Sequence, residues 1–239
     1  MRYFEIKSVL LEGGNVFKNE EGELTRRIDK ADVPTTIEWL ANSLKIKIPE
    51  ENWLGSTGKK ETSGDLDLSV DLSVVDKDEL FDRLVQLSKQ LSSSDEVVNK
   101  GKFKAGWISK SGDNIHFRAP INGDPKNGFV QVDFMFTDSP DWQKWALRGE
   151  AAPYKGVDRH ILLSSIAKAK GMKYSWKNGL DGVKDPDKVA SMLFGPGKTV
   201  ANINTIPDIL ATLETVPNKE ELVANATDII EKGRLSNAD

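Results

Sequence analysis

The 239-residue sequence predicts an α+β fold with a helical C-terminal region, and three observations support this. Residues 65–72 alternate strictly between polar and apolar side chains, which is typical of a strand with one buried face. Runs at 103–109, 114–121 and 128–136 also read as strands, and the Gly-, Asn- and Asp-rich turns between them predict an antiparallel meander. From Ser139 onward the apolar residues follow helical spacing.

Two amphipathic helices are expected in the first half of the chain. Asp32 as the N-cap and Pro34 in the first turn predict a helix over 34–45, which Pro49 ends. Leucine and phenylalanine residues at helical spacing predict a second helix over 77–91.

The later helices are expected in a separate region. They are predicted at about 140–148, 157–170, 186–193, 205–214 and 218–232. We therefore divide the chain into residues 1–137, with a core at about 33–137 and an N-terminal extension at 1–32, and a helical domain at 138–239.

The composition excludes several kinds of chemistry. A hydrophobic content of 38% with 29% charged residues is typical of a globular protein. The absence of cysteine excludes disulfides, thiolate metal sites and a cysteine nucleophile, and two histidines, His116 and His160, are too few for a three-histidine zinc site. The 37 acidic residues favour hard-cation chemistry instead. A net charge of −4 argues against a globally basic nucleic-acid binder but permits a local basic patch.

A pair of aspartates on the first strand is the leading candidate for that chemistry. The two-residue period places Asp65 and Asp67 on one face, while Leu66, Leu68, Val70 and Leu72 are expected to face the core. Two neighbouring carboxylates repel each other and favour a shared cation such as Mg²⁺, which also binds substrate phosphates.

Other residues extend this candidate site. Asp133 stands in an otherwise apolar strand and joins the pair if the two strands are neighbours. The turn at Gly55 and Ser56 offers backbone amides and a hydroxyl to phosphate oxygens. Lys59 and Lys60 are placed to neutralise the remaining phosphate charge.

This pattern resembles the nucleotidyltransferase superfamily, which has the polymerase-β-like fold. The likeness rests on Gly-Ser, eight intervening residues, Asp-x-Asp on a strand and a solitary Asp on a later strand, and it covers residues 53–72 and 129–136. The chain also looks like nucleotidyltransferases of tailed bacteriophages, on residues 13–17 and 154–160. The resemblance therefore implies a mixed sheet with flanking helices.

The resemblance also implies roles for individual residues. Gly55 and Ser56 would bind the β- and γ-phosphates of a nucleoside triphosphate. Asp65, Asp67 and Asp133 would hold two Mg²⁺ ions, with Mn²⁺ as a substitute. Lys59 and Lys60 take the place of a basic residue common in the family, whereas Gly64 stands where many members have serine.

These motifs also fit other interpretations. The aspartates of 65–71 also fit the solvated face of a strand, although Asp133 and the Gly-Ser turn favour a catalytic role. A calcium loop fails because Val70 stands where the loop needs glycine. Residues 195–199 resemble the end of a phosphate-binding P-loop, but Met192 replaces its first glycine and a helix precedes it.

For basic and aromatic residues outside the motif, the sequence does not decide between a binding role and a structural or solvated one. Arg26 and Arg27 either contact phosphates or form a solvated pair. Arg159, His160 and Trp176 are candidates for binding a base or an acceptor, although an ordinary charged helix face explains the basic residues of this segment equally well. His116 is expected to be structural.

The sequence thus predicts a metal-dependent nucleotidyltransferase that releases pyrophosphate. Its substrate would be a nucleoside triphosphate, and its acceptor hydroxyl belongs to an RNA 3′ end, a protein or a small molecule. A non-catalytic phage binding or structural protein that retains the fold is the alternative. We expect a cytoplasmic protein, in the host cytoplasm if it is phage-encoded, with no membrane partner; its oligomeric state is left open.

Overall fold

The computed structural model describes residues 16–92, 97–98, 106–148, 156–217 and 219–223. The chain divides into two compact units, Met1–Pro140 and Asp141–Asp239. Among the described helices, none is both long enough and apolar enough to cross a membrane.

Strands and helices are distributed unevenly between the two units. The strands are β1 (Lys18–Asn19), β2 (Gly22–Glu23), β3 (Ile28–Asp29), β4 (Thr62–Ser63), β5 (Asp65–Asp71), β6 (Ile108–Ser111), β7 (Asn114–Pro120), β8 (Phe129–Thr137), β9 (Tyr174–Ser175) and β10 (Gly179–Leu180). The helices are α1 (Val33–Leu44), α2 (Lys77–Leu91), α3 (Pro140–Ala146), α4 (Gly156–Ala169), α5 (Pro186–Phe194) and α6 (Ile206–Leu213). Residues 219–223 are also helical.

A four-stranded mixed sheet forms the centre of the first unit. Its strand order is β5-β8-β7-β6. The β6-β7-β8 meander is antiparallel, as predicted, and β8 pairs with β5 in parallel. The α+β class and the mixed sheet are therefore confirmed.

One face of this sheet is apolar and packs against α1 and α2. Leu66 and Leu68 of β5 are fully buried in the same cluster as Leu40 of α1 and Leu84 of α2. Asp76 caps α2, because its side chain accepts hydrogen bonds from the backbone of the first turn. The opposite face carries the polar side chains of β5, β7 and β8.

Some predicted details of the first unit are wrong. Leu72 is 44% exposed, because β5 ends at Asp71 and the chain turns away before Leu72 can face the core. Helix α1 ends at Leu44, where Lys45 adopts a left-handed conformation, before Pro49 is reached. Strand β6 is described from Ile108 to Ser111, and residues 103–105 of the strand predicted at 103–109 lie outside the described residues.

The second unit has its own hydrophobic core. Helices α3 to α6 contribute buried side chains such as Leu163, Val189 and Ile209. The short antiparallel pair β9 and β10 was not expected in a helical region. Most of the helix predicted at 218–232 lies outside the described residues.

Candidate metal centre

Strands β5 and β8 bring three carboxylates together. Asp67 and Asp133 are direct partners in the parallel register, and Asp65 lies two residues earlier on the same face of β5. One oxygen from each of Asp65, Asp67 and Asp133 lies within 4.8 Å of the other two. The predicted carboxylate cluster is therefore present, and it could hold a metal ion.

The cluster is electrostatically unfavourable without a cation. Burial raises the pKa of Asp65 to about 6, and the charge of Asp133 adds to the shift, while a backbone hydrogen bond, Arg27 and His116 oppose it. The pKa of Asp67 lies well above its ordinary value because of burial, followed by repulsion from the other two carboxylates. A divalent cation would relieve both effects.

Hard oxygen donors fit Mg²⁺ or Mn²⁺ better than softer metals. The cluster contains carboxylate oxygens only, and partial exposure of Asp65 and Asp67 leaves room for water and a phosphate oxygen in the coordination shell. These residues therefore fit the predicted cofactor.

Two neighbouring side chains hold Asp133 in place. Nδ1 of His116 lies 2.7 Å from Oδ1 of Asp133, and Nε2 of Gln131 donates to Oδ2 at 3.2 Å. All three residues are buried, and Oε1 of Gln131 in turn accepts a hydrogen bond from the backbone of Val16 at 2.8 Å. Each oxygen of Asp133 thus has a partner that restricts rotation of the carboxylate.

His116 was expected to be structural, and its contact with the site was missed. Its register partner on β8 is Asp133 itself. A polar residue between Ile115 and Phe117 does show that His116 faces away from the apolar core. The sequence gives no register for β7 on β8, so the contact could not be inferred.

The Gly-Ser turn packs directly against the carboxylates. A Cβ atom on Gly55 would lie 2.9 Å from Oδ2 of Asp67, and the positive φ of 55° also favours glycine. The hydroxyl of Thr57, a buried residue not singled out from the sequence, accepts a hydrogen bond from the backbone of Asp67 at 2.9 Å. Ser63 donates to the carbonyl of Ser56 at 3.2 Å and ties down the turn.

Basic residues lie beside the turn and at the start of β5. Lys59 and Lys60 are exposed, and Nζ of Lys59 donates to the carbonyl of Gly55 at 3.2 Å. Arg27 donates to the side chain and carbonyl of Thr62 and acts electrostatically on Asp65. Arg26 binds the carbonyl of Asn127. Arg27 is thus close enough to influence the carboxylate cluster.

The structure corrects the prediction for Arg159. Arg159 is fully buried in the second unit, where its guanidinium donates to the carbonyls of Asn204, Trp145 and Ala146. It also lies 4.7 Å from the ring centre of Trp145. A side chain enclosed in this way stabilises the unit and cannot contact a base or an acceptor.

His160 has a structural role too, whereas Trp176 remains a candidate. The ring nitrogens of His160 lie 2.8 Å from the hydroxyl of Tyr174 and 2.6 Å from the carbonyl of Ala146. Both polar atoms of the ring are therefore occupied. Trp176 is half-buried against the second core, and its carbonyl accepts a hydrogen bond from Trp142. A role for the Trp176 ring in binding a base stays a prediction.

No protein-family model matches this chain, and no curated protein sequence matches it either. The arrangement of the carboxylates and the Gly-Ser turn is therefore the observation on which a functional interpretation rests.

Proposed function

We propose that this protein is a metal-dependent nucleotidyltransferase with a polymerase-β-like catalytic domain in its first unit. The proposal rests on one observation: the carboxylate cluster of Asp65, Asp67 and Asp133 packs against the turn at Gly55. The cluster supplies ligands for cations, and the turn supplies phosphate-binding groups directly beside it.

The fold is compatible with this proposal. Two aspartates on one strand and a third on the adjacent parallel strand, with helices on the opposite face of a mixed sheet, match what the resemblance implies. The Gly-Ser turn lies beside β5, where Leu54 donates a backbone hydrogen bond to Asp67 at 2.9 Å. Such placement suits a triphosphate held between the turn and the carboxylates.

The proposed reaction is an in-line displacement at the α-phosphorus of a nucleoside triphosphate. The acceptor hydroxyl oxygen forms a bond to this phosphorus, and the bond from the phosphorus to the β-phosphate oxygen breaks, so that pyrophosphate leaves. The hydroxyl proton passes to the carboxylate of Asp133, which His116 and Gln131 hold in a fixed orientation. Bound Mg²⁺ supplies charge neutralisation on the reacting phosphates.

The turn and the lysines would bind the leaving group. Backbone amides near Gly55 and the hydroxyl of Ser56 can donate to phosphate oxygens, and Lys59 and Lys60 can neutralise charge that develops on pyrophosphate. The exposure of both lysines leaves them free to turn toward a ligand.

The experiment is transfer of label from α-³²P-labelled nucleoside triphosphates, with Mg²⁺ or Mn²⁺ and mixed RNA and protein acceptors. The wild type should transfer label and release pyrophosphate. Asp67→Asn should reduce the rate by about 10³-fold or more, because it removes a cation ligand at the reacting phosphate. Asp71→Asn is the matched control, since Asp71 lies on the same strand beyond the cluster and should retain activity.

Two results would contradict the proposal. One is the absence of transfer with every nucleotide and acceptor, and the other is equal activity in wild type and Asp67→Asn. A thermal-shift measurement adds a test that needs no acceptor: nucleoside triphosphate with Mg²⁺ should raise the Tm of the wild type and of Asp71→Asn, but not that of Asp67→Asn.

A further inference from the structure

Two rows of side chains run side by side across the polar face of the sheet. The register of β7, β8 and β5 aligns His116, Asp133 and Asp67 in one row and Arg118, Gln131 and Asp65 in the next. Arg118 therefore lies on the face of the carboxylate cluster, one row away from Asp133.

In the described part of the chain, the guanidinium of Arg118 contacts aromatic rings rather than a carboxylate. Its guanidinium lies 4.2 Å from the ring centre of Trp107 and 5.0 Å from that of Phe129. Its Nε atom is buried without a hydrogen-bond partner, and none of the carboxylates in the described ranges forms an ion pair with it. Burial lowers the pKa of Arg118, but a guanidinium keeps its charge at neutral pH.

Other arginines of the first unit are engaged differently. Arg26 and Arg27 donate to backbone carbonyls at Asn127 and Thr62, and Arg83 pairs with Glu79. Arg118 instead rests on two aromatic rings, which hold the cation in position without neutralising it. A partly exposed cation of this kind suits an anionic ligand.

The position of Arg118 indicates which ligand it contacts. The Gly-Ser turn lies beside β5, which is one edge strand of the sheet, whereas Arg118 lies on β7, beyond β8. The carboxylate cluster thus separates the turn from Arg118. If the turn binds the triphosphate, the ligand on the β7 side is the molecule that accepts the nucleotide.

We propose that Arg118 binds a phosphate group of the acceptor, and that the acceptor is a nucleic-acid strand end with its reactive hydroxyl at Asp133. This inference rests on the nucleotidyltransferase function proposed above. Residues two apart on a strand are separated by roughly 7 Å. The spacing between the two rows is therefore similar to the length of one nucleotide sugar. A terminal nucleotide can therefore place its hydroxyl at Asp133 and its own phosphate at Arg118, an arrangement that an uncharged protein hydroxyl cannot use.

A binding experiment without nucleotide or metal tests Arg118 directly. The probes are a short fluorescein-labelled RNA with a free 3′ hydroxyl and the same RNA with an uncharged methylphosphonate at its last linkage. We expect the wild type to bind the natural RNA about 10- to 100-fold more tightly, because one charge-assisted contact is lost in the analogue. Fluorescence anisotropy gives both dissociation constants.

Variants of Arg118 separate charge from packing. Arg118→Met keeps an unbranched side chain over Trp107 and should lose the preference for the natural linkage. Arg118→Lys keeps the charge and should retain part of the preference. Lys110→Gln is the matched control, because Lys110 also lies over a ring, that of Phe81 at 4.0 Å, but pairs with Asp78 and stands on β6 outside the two rows. It should bind both RNAs as the wild type does.

Transfer kinetics complete the test. In Arg118→Met the KM for the RNA acceptor should rise about 10- to 100-fold, with the KM for the nucleoside triphosphate unchanged. Equal use of the natural and methylphosphonate acceptors by the wild type, or labelling of a protein acceptor independent of Arg118, would overturn the inference and leave the transferase function intact. Arg118-dependent RNA binding with no transfer under any condition would instead overturn the proposed transferase function.

Discussion

Each unit of this protein encloses a group of polar side chains, and the two groups differ in how their charges are balanced. In the first unit, three carboxylates lie within 4.8 Å of one another, and burial with mutual repulsion raises the pKa values of Asp65 and Asp67. In the second unit, the buried guanidinium of Arg159 is surrounded by carbonyl oxygens. Burial of a charge is common to both, but in the first group like charges repel one another, whereas in the second the charged group donates hydrogen bonds to backbone carbonyls.

This difference in charge balance distinguishes polar residues that stabilise a fold from polar residues that are suited to binding a ligand. A buried guanidinium that donates to three backbone carbonyls stabilises the fold around it. Clustered carboxylates destabilise the folded protein and are compatible with selection for binding a cation. The sequence pattern around the aspartates indicates a cation site, whereas helical spacing alone does not show that Arg159 is enclosed.

The largest effect on stability is expected from a substitution in the second unit. Arg159→Ala should lower the free energy of unfolding by about 3–5 kcal/mol, because it leaves buried carbonyls unpaired and creates a cavity. Urea denaturation followed by tryptophan fluorescence measures the change. A loss below about 1 kcal/mol would contradict the structural role assigned to Arg159.

A pH-dependent effect is expected from His160 in the same unit. Burial, followed by repulsion from Arg159, lowers the pKa of His160 to about 4, from an ordinary value of 6.5. Between these values the unfolded chain binds more protons than the folded protein, so the stability from His160 is complete above pH 6.5 and falls as the pH drops toward 4. The loss is up to about 3 kcal/mol.

The control for this effect is His160→Gln, which cannot gain a proton in that range. Urea denaturation at pH 7 and at pH 4.5 should show a smaller decrease for the variant than for the wild type. An equal decrease in both proteins would show that His160 does not titrate as its burial requires.

The smallest effect has the opposite sign and lies in the first unit. The pKa of Asp65 is raised from 3.8 to about 6, so the folded protein binds more protons than the unfolded chain in this window and loses stability as the pH rises through it. At pH 8, without divalent cations, Asp65→Asn should therefore stabilise the protein by about 1–2 kcal/mol, after allowance for solvent screening.

Addition of Mg²⁺ should reverse the order of these two proteins. The wild type should gain Tm with the cation, while Asp65→Asn should gain less, because it has lost a ligand. Differential scanning fluorimetry with and without Mg²⁺ measures both effects. A destabilised Asp65→Asn in the absence of cations would contradict an unfavourable charge at Asp65, which burial and then repulsion from Asp133 produce.

The sequence predicted the framework of the first unit well because its signals are local. Strict alternation marked β5, and a single aspartate in an apolar run marked the polar face of β8. The roles of His116 and Arg118 depend on the register of β7 against β8, which no local pattern encodes. Arg159 was misjudged because helical spacing does not show which charged residue other segments will enclose.

The parallel pairing of β5 with β8 also has a consequence for folding kinetics. The pairing joins Asp67 to Asp133 across a stretch of chain that includes α2 and the β6-β7 hairpin. Contacts between such distant segments form slowly, because the entropy of loop closure is lost before the contacts are gained. The pairing also brings like charges together, so a divalent cation should accelerate folding as well as stabilise the folded protein.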